Sequence, residues 1–277
     1  MTHRYFVWDI SPVIFSAGPV TIRWYGLFFA GAFVAGHILM TAVYKKEGRP
    51  VEDLSSLMNH LLLGTIIGAR LGHCLFYDPV YYLGHPVQIL KIWEGGLASH
   101  GGAAGILAAL LIYSYKKKDQ GFLWLMDRIA LPAAFGGTLI RTGNFFNSEI
   151  IGRPTAMPWA VVFQRVDSLP RHPSQLYESI ACLLIFIILG MTYRKDTARN
   201  TEGVISGLFL ILVFSSRIAL EFFKVPQAAY NTEMFLNTGQ WLSIPFVLVG
   251  MGLIAEVWTD HRFGIFIKDK DANKKWE

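Results

Sequence analysis

The sequence predicts an all-α membrane protein whose chain crosses the bilayer seven times. Hydrophobic residues make up 53% of the chain and charged residues only 16%, whereas about a quarter of the residues in soluble domains are charged. Apolar segments close to the bilayer-spanning length of roughly 20 residues recur along the chain, and the loops between them alternate in positive charge. These three observations favour a single polytopic domain over residues 1–277.

Seven apolar segments account for most of the chain. The segment up to Pro19 lacks a Lys- or Arg-led apolar core, so we expect no cleavable signal peptide before the first span. The predicted spans, in chain order, are residues 22–44, 54–77, 97–115, 122–140, 174–193, 203–223 and 241–258. The two cysteines, Cys74 and Cys182, lie inside these apolar runs, and we interpret them as small hydrophobic residues.

The positive charges predict the orientation, because short loops rich in Lys and Arg face the cytoplasm. Such residues follow every odd-numbered span: Lys45, Lys46 and Arg49, then Lys116–Lys118, then Arg194, Lys195 and Arg199, then the tail at 261–277. The sequence therefore predicts an outside N-terminus and a cytoplasmic tail. It also places residues 147–173 outside, where four prolines and the β-like run PWAVVF indicate a small external head subdomain.

Ionisable residues inside membrane spans are costly and usually paired or functional. On the predicted topology, they gather at the outer ends of six spans: Arg23, Arg70, His73, His100, Arg141, Glu178, Arg217 and Glu221. Only Asp127 and Arg128 lie toward the inner side, where we expect a structural or interfacial pair. This distribution predicts a polar cavity that opens toward the outer leaflet.

The cavity is rich in arginine, whose fork of donors suits a phosphate group. We therefore expect an anionic phosphate as its ligand. Arg217 could instead pair with Glu221 four residues on, and Arg70 could pair with a carboxylate. His100, flanked by glycines, is either a general base or a hydrogen-bonded structural residue. No metal-ligand pattern is present, and we expect no cofactor and no nucleic-acid partner.

The glycines of the second span predict close helix packing. Gly64, Gly68 and Gly72 recur every four residues and therefore lie on one helix face. Two other functions fit parts of the pattern. A transporter or flippase of an anionic lipid or solute would also use an arginine-lined cavity, but it favours polar groups at the midplane. An intramembrane protease would need a Ser–His pair or two Asp residues, and neither stands out.

Seven motifs in order resemble the prolipoprotein diacylglyceryl transferases of bacteria. They are RWYG at 23–26, GARLGH at 68–73, GGLASHGG at 95–102, IRTGNFFNSEIIG at 140–152, PWAVVF at 158–163, HPSQLYE at 172–178 and RIALEFF at 217–223. The family's long signature usually has Gly where this chain has Ile140 and Ser148, and an aliphatic residue is common where it has Thr142. The Arg, Gly, Asn and Glu residues of that signature remain.

The resemblance implies transfer of the diacylglyceryl group of phosphatidylglycerol to the lipobox cysteine of a preprolipoprotein in the bacterial inner membrane. A thioether forms and glycerol phosphate leaves. For this reaction we expect His100 to act as the base, Tyr25 to orient a substrate group, and Arg141 and Arg217 to stabilise the phosphate. We assign lipid binding also to Asn144, Asn147, Glu149, Gly152, Arg70 and Glu221. Alternatively, the polar residues after Arg141 only cap the fourth helix.

Overall fold

The computed structural model describes residues 5–18, 20–225 and 236–273, with the side chains of residues 94 and 257–273 outside the description. The chain divides into two compact units. The first contains Met1–Leu39 and Asp127–Glu277, and the second contains Met40–Met126. Each unit is described by itself.

Long helices occupy the predicted spans. They are α1 at Trp24–Lys46, α2 at Glu52–Phe76, α5 at Ser99–Lys116, α6 at Phe122–Phe146, α7 at Ser174–Tyr193, α9 at Val204–Leu220 and α10 at Thr238–Asn273. The short helices between them are α3 at Pro79–Gly84, α4 at Pro86–Ile89 and α8 at Asp196–Asn200. Within the described residues, five segments are long and apolar enough to cross a membrane: Trp24–Lys46, Phe122–Phe146, Ser174–Tyr193, Val204–Phe223 and Thr238–Glu256. A mostly helical membrane protein is thereby confirmed. The remaining two spans, on α2 and α5, stay a prediction.

The helix ends differ from the predicted bounds where polar residues were interpreted as boundaries. Helix α6 continues six residues past the predicted end at 140, through Arg141 and Asn144. Helix α9 ends at Leu220 and is followed by a 3-10 turn at Glu221–Phe223. Helix α10 continues to Asn273, through much of the predicted tail. The last four residues of that tail, and the loop residues 226–235, lie outside the described residues.

The described residues also include five short strands, which the predicted all-α class did not contain. Strand β1 at Phe6–Trp8 pairs in parallel with β4 at Val161–Phe163, and β4 pairs antiparallel with β5 at Pro170–Arg171. Strands β2 at Val13–Ala17 and β3 at Val20–Arg23 form a hairpin that leads directly into α1. The β-like run PWAVVF therefore does contain a strand, whereas its partner β1 lies more than 150 residues away in sequence and was not predicted.

Aromatic packing connects the three-stranded sheet to the end of α6. Trp8, Phe145, Val161 and Phe163 form a buried cluster, and the ring centroids of Trp8 and Phe145 lie 4.3 Å apart. Because these side chains come from β1, α6 and β4, burying them fixes the sheet against the helix end. The polar residues of α6 are thus held beside the sheet.

Helices α2 and α5 pack closely through the predicted glycine face. A β-carbon built on Gly64 would lie 2.6 Å from the carbonyl oxygen of Gly105, and one on Gly72 would lie 2.7 Å from the Cα of Gly101. Any larger residue would separate the helices. The packing prediction for these glycines is therefore confirmed.

The pairing of Asp127 and Arg128 is also confirmed. Asp127 is fully buried, and its Oδ2 lies 3.7 Å from Nη1 of Arg128. The same carboxylate accepts hydrogen bonds from the backbone N–H groups of Gly203 at 2.8 Å and Ser206 at 2.7 Å, and from the Ser206 hydroxyl at 2.6 Å. These donors surround the first residue of α9, so Asp127 caps that helix from α6.

Candidate functional site

An ion pair between α6 and α7 forms the centre of the candidate site. The Nε of Arg141 lies 3.1 Å from Oε2 of Glu178. Both residues lie on long helices, and Glu178 is buried. A buried carboxylate is stable only when it is paired or hydrogen-bonded. Arg141 therefore neutralises Glu178, and the pair fixes the direction of the guanidinium.

A second cation contacts the same carboxylate. The Nζ of Lys224 lies 2.6 Å from Oε1 of Glu178 and 3.3 Å from Oε2 of Glu221. Lys224 is only 5% exposed. It follows the 3-10 turn after α9 in sequence, so the network joins the ends of three helical segments. Sequence analysis missed Lys224, since it lies in an aromatic loop beyond the last residue of the RIALEFF motif.

Two asparagines extend the network toward Glu149. Nη1 of Arg141 donates to Oδ1 of Asn144 at 3.2 Å. Nδ2 of Asn144 donates to Oε2 of Glu149 at 3.1 Å, and Nδ2 of Asn147 donates to Oε1 of the same carboxylate at 3.0 Å. Because Asn144 lies within α6, it does not cap that helix. The predicted set Arg141, Asn144, Asn147 and Glu149 is thus brought together as one hydrogen-bonded chain.

The backbone after α6 is strained and is held in place from α7. Ser148 has φ 56° and Ile150 has φ 53°, a left-handed conformation that is unfavourable for a β-branched residue such as Ile150. The Ser174 hydroxyl donates to the carbonyl of Ile150 at 2.8 Å, and the Gln175 amide donates to the carbonyl of Glu149. Strain that is fixed in this way clusters at functional sites.

Gly152 allows the closest backbone approach in this segment. A β-carbon at this position would lie 2.6 Å from Cβ of His172 and 2.9 Å from the carbonyl oxygen of Phe223. Its N–H donates to the carbonyl of His172 at 3.1 Å. Only glycine fits there without displacing its neighbours, and lipid binding by Gly152 stays a prediction.

Tyr25 lies beside the same stretch of α6. A β-carbon on Gly143 would lie 3.2 Å from Cδ2 of Tyr25, so the tyrosine ring packs on the glycine. The orientation of a substrate group by Tyr25 stays a prediction.

Arg217 differs from Arg141 and Lys224 of the network. Among the residues that the structure describes, its side chain makes no hydrogen bond or ion pair. The alternative in which Arg217 pairs with Glu221 is wrong, because Glu221 lies beyond the end of α9 and pairs with Lys224. None of the donors of the Arg217 guanidinium is used by a described residue.

Arg70 and His100 belong to the second unit. Arg70 is 3% exposed and donates to the carbonyls of Gln88, Ile89, Gly95 and Gly96. These bonds use four of its five N–H groups, so Arg70 holds the segment between α2 and α5, and it pairs with no carboxylate of the described side chains. His100 is exposed in the first turn of α5. Lipid binding by Arg70 and base catalysis by His100 stay predictions.

The residues before α7 add a second aromatic and polar contact. Nδ1 of His172 lies 3.1 Å from the hydroxyl of Tyr177, to which Trp159 donates at 2.8 Å. Burial lowers the pKa of His172 below its usual 6.5 because an imidazolium is poorly solvated there. His172 is therefore a neutral imidazole near pH 7.

Within the described ranges, no three His, Cys, Asp or Glu side chains come together in a way that could hold a metal ion. The site instead presents an ion-paired network, Arg141–Glu178–Lys224–Glu221, next to Arg217, which pairs with no carboxylate among the described residues. Fold and site together define a helical membrane protein with a cluster of buried and partly buried charged side chains.

Comparison with known proteins identifies the family. The sequence profile of the prolipoprotein diacylglyceryl transferases matches residues 12–256, and the chain belongs to this family. The resemblance carried by the seven motifs is thereby confirmed.

Similar proteins include three named phosphatidylglycerol–prolipoprotein diacylglyceryl transferase. The one from Chloroherpeton thalassium is 54% identical over 91% of this chain and 94% of its own length. The one from Tolumonas auensis is 50% identical over 89% of this chain and 95% of its own. The one from Porphyromonas gingivalis is 41% identical over 90% and 94%, respectively.

Proposed function

We propose that this protein transfers the diacylglyceryl group of phosphatidylglycerol to the lipobox cysteine of a preprolipoprotein. The cysteine thiolate attacks the glyceryl carbon that carries the phosphate ester. A carbon–sulfur bond forms, the carbon–oxygen bond to phosphate breaks, and the electron pair leaves with glycerol phosphate. The thiol proton passes to a base. Because the nucleophile belongs to the substrate, the reaction needs no enzyme cysteine.

The available guanidinium of Arg217 is the observation that carries this proposal. Negative charge increases on the phosphate as the carbon–oxygen bond breaks. Arg217 makes no hydrogen bond or ion pair with a described residue, and Arg141 keeps N–H groups beyond those used by Glu178 and Asn144. Donors that are already in place stabilise developing charge most strongly where water is excluded.

The polar residues around Arg141 are proposed to hold the lipid headgroup. Asn144, Asn147 and Glu149 are linked by hydrogen bonds, and they offer donors and acceptors suited to glycerol hydroxyls. Gly152 lets the loop approach closely, and Tyr25 orients the substrate beside Gly143. His100 is proposed as the general base that takes the thiol proton.

The proposed setting is the bacterial inner membrane, with the site facing the outer leaflet. The positive loops after spans one, three, five and seven support an outside N-terminus and a cytoplasmic C-terminus. On this topology, α2 and α5 complete seven spans, and the segment at 147–173 forms the external head. The preprolipoprotein then meets the site from the outer face.

One reconstitution tests the reaction. Purified protein in detergent is mixed with phosphatidylglycerol and a lipobox peptide, and the peptide is followed by mass spectrometry. We expect a diacylglyceryl adduct on the cysteine together with released glycerol phosphate. A peptide with serine in place of that cysteine is the matched control and should stay unmodified. Movement of labelled lipid across a vesicle membrane without any adduct would support the transporter alternative and overturn the proposal.

The role of His100 needs its own variant. If it is the base, His100→Gln lowers turnover and removes the rise in rate with pH near neutrality, because glutamine cannot accept the proton. Near-normal turnover with an unchanged pH profile would show that arginine charge alone activates the thiol.

A further inference from the structure

Lys224 is a buried cation that connects two carboxylates of the site. Its Nζ lies 2.6 Å from Glu178 and 3.3 Å from Glu221. The first carboxylate is shared with Arg141, and the second lies one helical turn after Arg217 in sequence. Buried lysines of this kind are retained only with partners. Without Lys224, the carboxylates of Glu178 and Glu221 would need other cationic partners.

The backbone of Lys224 is fixed as firmly as its side chain. Its carbonyl accepts a hydrogen bond from Nε of Arg153 at 2.8 Å, and the preceding carbonyl, of Phe223, accepts from the N–H of Arg153 at 2.8 Å. Lys224 also forms a β-bridge with Gly152. The ammonium group is thus held in one position between the end of α9 and the loop after α6.

Lys224 balances the ion-paired carboxylates of the network. Arg141 and Lys224 supply two positive charges, and Glu178 and Glu221 supply two negative charges. Glu149, joined to Arg141 through Asn144, adds a third negative charge. Without Lys224, Glu178 and Glu221 would therefore turn to Arg141 and Arg217, the two arginines proposed to bind the phosphate.

We propose that Lys224 is a positioning residue that prevents Glu221 and Glu178 from competing with the lipid phosphate for the arginines. By pairing with Glu221, it leaves Arg217 without a carboxylate partner among the described residues. By sharing Glu178, it weakens the hold of that carboxylate on Arg141. This inference rests on the proposed function, because it assumes that the ligand of Arg217 and Arg141 is the phosphate of phosphatidylglycerol.

Removal of the charge at position 224 should therefore weaken lipid binding more than it slows chemistry. We expect Lys224→Met to raise the KM for phosphatidylglycerol by about tenfold, with a smaller change in kcat, because Glu221 becomes free to pair with Arg217. Lys224→Arg keeps the charge and should restore most of the affinity. The double variant Lys224→Met/Glu221→Gln removes the competing carboxylate and should lower the KM again.

The outcomes separate this inference from the proposed function. If the wild-type protein forms no adduct, the proposed function fails. If the wild type is active and the KM of Lys224→Met stays within about twofold of it, the positioning role of Lys224 is wrong. A KM that rises in Lys224→Met and does not recover in the double variant also overturns the role, since a purely structural lysine would not be rescued by Glu221→Gln.

Discussion

Glu178 and Arg141 form an ion pair between two long helices, with Oε2 of the carboxylate 3.1 Å from Nε of the guanidinium. This geometry uses the Nε edge of Arg141 and leaves Nη groups available. Asn144 accepts one hydrogen bond from Nη1, so the orientation of the guanidinium is fixed from two sides. The guanidinium of Arg141 is therefore already oriented before any lipid binds.

Loss of the Glu178 charge should disturb this orientation. Glu178→Gln keeps the size of the side chain but leaves buried Lys224 and half-buried Arg141 with less compensation. We expect kcat/KM for adduct formation to fall by about tenfold or more, together with a lower unfolding temperature in detergent. Glu202→Gln, at an exposed position, is the matched control. Unchanged transfer by Glu178→Gln would contradict the proposed role of the pair.

Arg217 and Arg141 should respond differently to truncation. Because Arg217 contacts no carboxylate among the described residues, Arg217→Ala should change the free energy of unfolding by less than about 0.5 kcal/mol. Its adduct formation should still fall by about a hundredfold or more. Arg141→Ala should lose both activity and stability, since it leaves Glu178 with one partner fewer.

Parallel thermal unfolding and peptide modification assays measure this contrast. Arg165→Ala, at an exposed position in the loop after β4, serves as the control for loss of an arginine. Arg217→Ala with wild-type activity would remove Arg217 from the site.

The cap on α9 predicts a stability effect away from the site. Asp127→Asn removes the charge that faces the first N–H groups of α9 and the counter-charge of buried Arg128. We expect the free energy of unfolding to fall by about 2 kcal/mol or more. Asp196→Asn is the control, because the Asp196 side chain is 77% exposed in its pair with Arg199. Equal unfolding temperatures for the two variants would argue against the capping role.

His172 predicts a pH dependence of stability. Its pKa in the folded protein is lowered below 6.5, so the folded state binds fewer protons than the unfolded state between the two pKa values. Its contribution to stability is therefore complete above the unfolded pKa and is lost as the pH falls through the folded pKa. Unfolding temperatures between pH 7.5 and pH 5 should decrease for the wild type and decrease less for His172→Gln. Parallel curves for the two proteins would disprove this assignment.

Local patterns predicted the helices well, and long-range partners could not be predicted. The fifth predicted span coincides with α7 at Ser174–Tyr193, because its apolar run is bounded by Pro173 and by charged residues. The fourth was drawn too short, since Arg141 and Asn144 were interpreted as the end of a helix. Within α6 they pair with each other and with α7, so their polarity is satisfied without leaving the helix.

The site was also predicted only in part, because sequence patterns indicate neighbours along the chain but not long-range partners. Residue type and topology brought Arg141, Asn144 and Glu149 together correctly, because they are close in sequence. The ion pair between Glu178 and Lys224 could not be predicted, because it is a tertiary contact between residues 46 positions apart in sequence. Arg70 has the residue type expected for phosphate binding, but most of its N–H groups donate to backbone carbonyls of the segment between α2 and α5.

The β-bridge between Gly152 and Lys224 has a consequence for biosynthesis. Because the chain is synthesised from its N-terminus, Arg141 and Glu178 are translated before Lys224. Their ion pair needs only α6 and α7, whereas the second cation arrives with the segment that follows α9. A nascent chain stalled before residue 224 therefore carries an incomplete site.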